Sequence, residues 1–166
     1  MKKPPLTPQN KSSPEDPAAL VLRQFRLIFS SVRRHFQSIE KLAGVGGAQI
    51  WALSLIAQNP GLAVTQLFQA MDIHQSTASN LVRALLKSGL IHSEKSAHDK
   101  RVVELYPLPE GLKLLKKVHG PYSGVLPKAL GEMEPETLES LRRDLDKLIQ
   151  KLEVDESSAK TPMALM

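Results

Sequence analysis

The sequence predicts a mostly α-helical chain with one small β-hairpin, and three observations carry that prediction. Apolar residues recur at the 3.6-residue helical period along most of the stretch from 18 to 152. Residues 65 to 101 read as a short helix, a three-residue turn, a second helix, and a hairpin tipped by Ala97-His98-Asp99-Lys100-Arg101. Near the end, Leu138, Leu141, Leu145, Leu148 and Leu152 alternate steps of three and four, a coiled-coil-like seam. The middle segment has the layout of a winged helix-turn-helix, and the outer segments are helices that need a partner to bury their apolar faces.

Composition narrows the function classes. A chain of 166 residues holds one compact domain, or a smaller domain plus helices completed by another subunit. With no cysteine, disulfide stapling, cysteine metal sites and thiol catalysis are excluded. No apolar run approaches the roughly 20 residues that span a bilayer, and the first sixteen residues lack the apolar core of a signal peptide, so the expected location is cytoplasmic with no membrane partner. A net charge of +5 and a pI near 9.5 favour a polyanionic partner. The placement of charge is more telling than its total. Between His74 and Arg101, Arg83, Lys87, Lys95, Lys100 and Arg101 face only Glu94 and Asp99, whereas between Glu132 and Glu156 acids outnumber bases. One end of the molecule is expected to be basic and the other acidic.

The elements follow in order. Residues 1 to 16, with four prolines and little apolar content, read as a disordered tail in which Lys2, Lys3 and Lys11 are solvated. Ala18, Val21, Leu22, Phe25, Ile28, Phe29, Val32, Phe36 and Ile39 place a long first helix as far as Leu42, stopped by the glycines at 44 to 47. A second helix from about Ala48 to Gln58 closes at Asn59-Pro60-Gly61. Thr65 to Met71 form the first helix of the helix-turn-helix, and Asp72-Ile73-His74 form the turn. In the next helix Ala78, Leu81, Val82, Leu85 and Leu86 make the buried stripe, while Ser76, Asn80, Arg83 and Lys87 share the opposite face. Gly89 ends it, Leu90-Ile91 open the hairpin, Val102 to Tyr106 return, and Pro107 stops the ladder. Gly111 to about Met133 should be helical but kinked or split at Gly120-Pro121 and Pro127, and Pro135 to Leu152 should form the last helix.

These residues resemble the MarR family of transcription regulators over roughly 18 to 152. The likeness is densest at Pro60-Gly61-Leu62, at Leu67, along Gln75 to Leu85, at Gly89-Leu90-Ile91 and at the wing residues Asp99 and Arg101. It implies a triangular homodimer whose terminal helices form the interface, with one reading helix for the major groove and one wing for the minor groove in each lobe. The organisation expected is a tail over 1–16, an N-terminal dimerisation helix over 17–47, a winged helix-turn-helix over 48–108, C-terminal dimerisation helices over 109–152 and a flexible tail over 153–166. Two departures stand out. The family's Leu-Thr pair and following Gly are replaced by Leu108-Pro109-Glu110-Gly111, one residue shorter, and Pro109 can serve at the first helical position. Asp72 stands where the family usually has Gly, and Asp tolerates the left-handed backbone.

The expected DNA contacts come from side-chain chemistry. Asn80 can grip adenine and Arg83 guanine, each with two hydrogen bonds, and Ser76 can donate or accept in the same groove. Gln75, Thr77 and Ser79 near the helix start suit phosphate, as do Lys95 and Lys100 of the wing, and Lys87 joins the DNA-facing side of the helix. Arg101 suits a narrow minor groove. By resemblance, Asp99 holds Arg101 through a carboxylate pair.

The resemblance also implies a small aromatic effector in a cleft lined by His35, Phe36, Trp51, Leu55, Val118 and Tyr122, although aromatics at helical spacing also read as plain core. The expected function is a ligand-responsive repressor that binds a pseudo-palindromic double-stranded operator as a homodimer. The alternative is a winged helix that docks only on another protein; its reading face would be apolar or acidic rather than polar and basic. No convergent nucleophile, acid and base, no glycine-rich phosphate loop, and no paired-histidine spacing among His35, His74, His92, His98 and His119 point to an enzyme, a cofactor or a metal.

Overall fold

The computed structural model describes residues 16–166, so the tail expected before them lies, but for Asp16, outside the described residues. The order is α1 (Pro17–Ala43), α2 (Gly47–Gln58), β1 (Leu62–Ala63), α3 (Val64–Met71), α4 (Gln75–Lys87), β2 (Ile91–Lys95), β3 (Val103–Pro107), α5 (Pro109–Lys117), α6 (Val125–Gly131) and α7 (Pro135–Ile149). Two short 3-10 turns, Glu156–Lys160 and Met163–Leu165, follow.

Helix α1 begins where Asp16 accepts a hydrogen bond from the Ala18 amide, with Pro17 preset at the first helical position. It ends at Gly44, whose left-handed backbone returns an amide to the Glu40 carbonyl. Only Val32, Phe36 and Ile39 of this 27-residue helix are buried within the chain. Helix α2 is the opposite case. Ala48, Ile50, Ala52, Leu53 and Ile56 are buried around most of its circumference, which makes it the central rod on which the domain is assembled.

Two apolar clusters result. The larger joins α2 to α3, α4 and the sheet through Leu53, Ile56, Leu67, Met71, Ile73, Leu81, Leu85, Ile91 and Leu105. The smaller joins α1 and α2 to Val118 through Val32, Phe36, Ile39 and Ile50. The sheet has the order β1-β3-β2, all antiparallel, with Leu62 opposite Leu105 and Lys95 opposite Val103. The expected hairpin is thus widened by β1, two residues too short to carry a strand pattern in sequence.

Several boundaries differ from the sequence expectation for local reasons. Leu86 is exposed rather than part of the buried stripe, because the four residues Ala78, Leu81, Val82 and Leu85 already fill the face of α4 that meets the core. The α5–α6 stretch splits at Val118 to Gly124, but Pro127 does not interrupt α6, since it lies in the first turn where its missing amide has no helical partner to lose. Pro109 does open α5. Gly111 allows α5 to lie against the start of the wing: a Cβ there would collide with the Leu90 carbonyl oxygen. Helix α7 stops at Ile149, so Leu152 lies beyond it, and no residue of α7 is buried within the chain.

The largest difference is at the end of the chain. The stretch 153–166, expected to be a loose tail, turns back over α1 and α2; Pro162 is buried, and Met163 and Ala164 pack against the smaller cluster.

Candidate nucleic-acid interface

The helix-turn-helix is held by its turn. Asp72 adopts the left-handed backbone (φ 50°, ψ 48°), and its amide bonds back to the Phe68 and Gln69 carbonyls. Ile73 then drops into the core beside Leu67 and Met71. An Asp in this conformation costs less than a branched residue would, which is why the substitution for glycine is accommodated. Helix α4 leaves the turn at a fixed angle, its inner face locked by Ala78, Leu81, Val82 and Leu85.

The outer face of α4 is displayed to solvent. Gln75, Ser76, Asn80, Arg83 and Lys87 are exposed, and Thr77 and Ser79 are half-buried on its flanks. His74 precedes the helix in extended conformation and offers no side-chain cap, so the first amides of α4 remain open to an anion. Arg83 Nη1 donates to Asn80 Oδ1 at 2.9 Å. That bond uses one of the two lone pairs of the Asn80 oxygen and holds the two polar side chains side by side on the exposed face.

The wing tip is built around Asp99. Its Oδ1 accepts from the Arg101 amide at 3.0 Å and from Nε at 3.1 Å, and its Oδ2 accepts from Nη2 at 3.1 Å. The Asp99 carbonyl takes the Val102 amide at 2.8 Å, and the Ser96 amide reaches the Val102 carbonyl at 3.0 Å, closing the loop. Arg101 remains 91% exposed while its carboxylate partner is 42% exposed, so the guanidinium is oriented without being hidden. Lys95 and Lys100 are exposed beside it.

At the wing root, Tyr106 donates to Glu104 at 2.8 Å and stacks on His92. Ser96 is buried there, and its hydroxyl, together with the Tyr106 hydroxyl, holds the Glu104 carboxyl below its usual range. This bracing of the hairpin was missed in sequence, since a lone Ser and a Glu-x-Tyr step carry no distinctive pattern.

Arg101, first through its side chain and then through its amide, also holds the Asp99 carboxyl below its ordinary value. A lowered carboxylate contributes order above its unfolded pKa and loses it as pH falls through the folded value, so the wing stays set at neutral pH. Asp99→Asn keeps the shape but removes the charged fork. We expect that variant to bind its best duplex about 2- to 10-fold more weakly at pH 7 by fluorescence anisotropy, the cost of ordering one freed side chain. Unchanged affinity would show that the pair does not position Arg101.

The six residues expected to line an effector cleft are divided by the fold. His35 Nε2 lies 2.9 Å from the Pro121 carbonyl oxygen, and its ring meets the edge of Phe36. Tyr122 donates to the Leu115 and Val118 carbonyls, and Val118 is wholly buried. These four form closely packed core. Trp51 and Leu55 pack instead against the larger cluster. Open space lies alongside, in a groove of about 630 Å³ lined by Arg26, Phe29, Arg33, Phe36, Glu40, Met163 and Met166. Of the six, only Phe36 borders it. Among the described residues no three His, Asp or Glu side chains converge as metal ligands, and no helix is long and apolar enough to cross a membrane.

Comparison with known proteins places this geometry. A MarR family model matches residues 43–102, which takes in α2, the helix-turn-helix, β2 and the wing tip but stops short of β3. A Thauera aromatica protein described as a transcriptional regulatory protein for the hcr operon is 32% identical over 89 residues, 54% of each chain, so the match spans about half the length of that relative. Among solved structures, S. aureus MepR in a DNA complex matches with a TM-score of 0.55 and 20% identity over 82% of this chain and 98% of that one. Streptococcus pneumoniae FabT in complex with DNA matches with a TM-score of 0.52 and 20% identity over 82% and 97%. At these identities the structures establish a shared fold.

Proposed function

We propose that the chain is a member of the MarR family, whose model matches residues 43–102, and that it is a sequence-specific transcriptional regulator that binds double-stranded DNA as a homodimer. Helix α4 enters the major groove, and the wing carries Arg101 to the adjacent minor groove. The observation that carries this reading is the two-sidedness of α4: one face is fixed in the core, and the rest shows solvent Gln75, Ser76, Asn80, Arg83 and Lys87, with Leu86 the one exposed apolar residue of the helix. Such a face is suited to base edges and phosphates and offers little to an apolar protein partner. The similar MepR and FabT structures are DNA complexes, and that supports the same reading.

Dimerisation is supported by what the single chain leaves uncovered. Leu20, Val21, Leu22, Leu27 and Phe29 of α1 and Leu138, Leu148 and Ile149 of α7 are exposed, a strip soluble monomers avoid. The two helices are also complementary in charge. Helix α1 carries Arg23, Arg26, Arg33, Arg34 and Lys41 against one acid, Glu40, and none of the ion pairs among the described residues uses any of these bases. Helix α7 carries Glu136, Glu139, Asp144 and Asp146 against Arg142, Arg143 and Lys147; Arg142 pairs with Glu139 and Asp146, and Lys147 with Asp144, so Glu136 is its one acid outside those pairs. Exchange of α1 and α7 between two copies covers the apolar strip and sets Glu136 against the basic α1.

Regulation is read as ligand-responsive repression in the cytoplasm. The groove beside Phe36, with Arg26 and Arg33 on its wall, suits a small aromatic carboxylate, which would shift the separation of the two reading heads.

The test is binding of retained genomic fragments by the purified protein across a salt series. Affinity is expected to fall by about a thousandfold or more between about 50 and 200 mM salt, as several phosphate contacts per dimer require. A flat response would favour a protein-docking winged helix. Aromatic acids titrated into the same complex should release it, and indifference to all of them would remove the effector from the account.

A further inference from the structure

The end of the chain reaches the reading helix. Asp155 starts the first 3-10 turn by accepting from the Ser157 amide at 3.0 Å and from its hydroxyl at 2.8 Å. The Ser157 carbonyl oxygen then lies 3.2 Å from Nε2 of His74, the residue that precedes α4. Further on, Pro162 is buried and Ala164 packs against both apolar clusters. Gly47 makes room for it, since a Cβ there would sit 3.3 Å from Ala164 and closer still to Phe36. Leu165 closes a small cavity whose other walls include Gln49, Thr77, Asn80 and Leu81. One short segment therefore touches α1, α2 and the flank of α4.

Its chemistry opposes its position. The uncapped amides at the start of α4 and the helix dipole favour a phosphate on this flank. The segment instead brings Asp155 to His74, with Glu156 next to it and Glu153 shortly before, all exposed. Fixed carboxylates beside that site repel an approaching DNA backbone, and Leu165 stands beside Thr77 and Asn80, two of the side chains assigned to the duplex.

We propose that residues 155–166 form an autoinhibitory strap: docked as described, it shields the N-terminal flank of α4, and it must lift for the reading helix to seat fully in the groove. The inference rests on the reading of α4 as the DNA-contacting helix. The strap's packing is slight enough to be reversible, since Pro162 is its one buried residue and all others are half-buried or exposed. Linkage makes the effect reciprocal: a strap that weakens DNA binding is itself displaced by DNA.

Two variants of the full chain separate packing from charge. Ala164→Glu places a charge in the apolar seat and undocks the strap. The double change Asp155→Asn with Glu156→Gln removes the charges while Asn retains the capping role of Asp155. Against a retained genomic duplex at low salt, the first is expected to bind about tenfold tighter than the parent and the second about threefold tighter, with the second gain vanishing at high salt. Hydrogen exchange in the parent should accelerate across 155–166 when DNA is added. Equal or weaker binding by the charge-neutral variant, or protection of 155–166 by DNA, overturns the strap. Failure of the parent and both variants to bind any duplex overturns instead the DNA-binding reading beneath it, and the strap with it.

Discussion

Replacing both Arg83 and Arg101 with alanine is expected to cost at least about a thousandfold in operator affinity. A guanidinium that meets a base with two bonds is worth roughly 1–3 kcal/mol of discrimination, and a symmetric dimer presents each arginine twice. For the two copies of Arg83 alone the loss sums to about 4 kcal/mol at the middle of that range, or about three decades in binding constant, and the two minor-groove arginines add to it. The fold should be indifferent to the change. Arg101 is 91% exposed, and Arg83 is an exposed residue whose one recorded partner is the surface side chain Asn80, so surface-level changes of about 0.5 kcal/mol are all that stability should show. Anisotropy with a labelled fragment reads the affinity, and urea unfolding reads the stability. Parental affinity in a folded double variant would mean that neither the α4 face nor the wing touches DNA.

Leu145→Asp should have an effect as large by a different route. No residue of α7 is buried within its own chain, so the substitution leaves the protomer's core untouched. In the proposed dimer Leu145 lies in the seam with Leu138, Leu141 and Leu148, and twofold symmetry places two unpaired carboxylates there. Each costs several kcal/mol to desolvate without a partner. The expected outcome is a protein of half the sedimenting mass at micromolar concentration that no longer retains its genomic fragment. Binding is lost because one reading head, released from its twin, forfeits the second half-site. A variant that sediments as a dimer would show that the interface lies elsewhere.

The two predictions draw on parts of the molecule that differ in how far sequence reveals them. Helix α4 was legible because Ala78, Leu81, Val82 and Leu85 recur at the helical period over about two turns, which fixes both the element and its faces. The wing pair was implied by the family resemblance, and the two side chains do meet, since Asp99 and Arg101 are only two residues apart and no long-range packing decides the contact. Periodicity, however, identifies a buried face without saying what covers it. His35, Phe36, Trp51 and Leu55 all read as inward-facing, yet Phe36 joins the cluster around Val118 while Trp51 and Leu55 serve the core of the winged domain. For the same reason Leu86 was placed in the stripe, although the neighbours on α4 leave it no contact surface.

Short non-periodic segments were the least legible. Strand β1 consists of two residues, and its existence depends on β3 arriving from more than forty positions away. The terminal turns carry Pro162, Met163, Ala164 and Leu165 with no repeat to announce them, and their seat is created by the absence of a side chain at Gly47, over a hundred positions earlier. Local signals cannot report a cavity assembled by another part of the chain.

Hydroxyl-radical footprinting of the protein on a retained genomic fragment, paired with the mass of the same complex, tests the central claim most directly. The account predicts two chains per duplex and two protected stretches related by a twofold axis, their centres about 10 bp or a multiple of it apart. Saturation by a single chain, or one protected stretch without that symmetry, would contradict it.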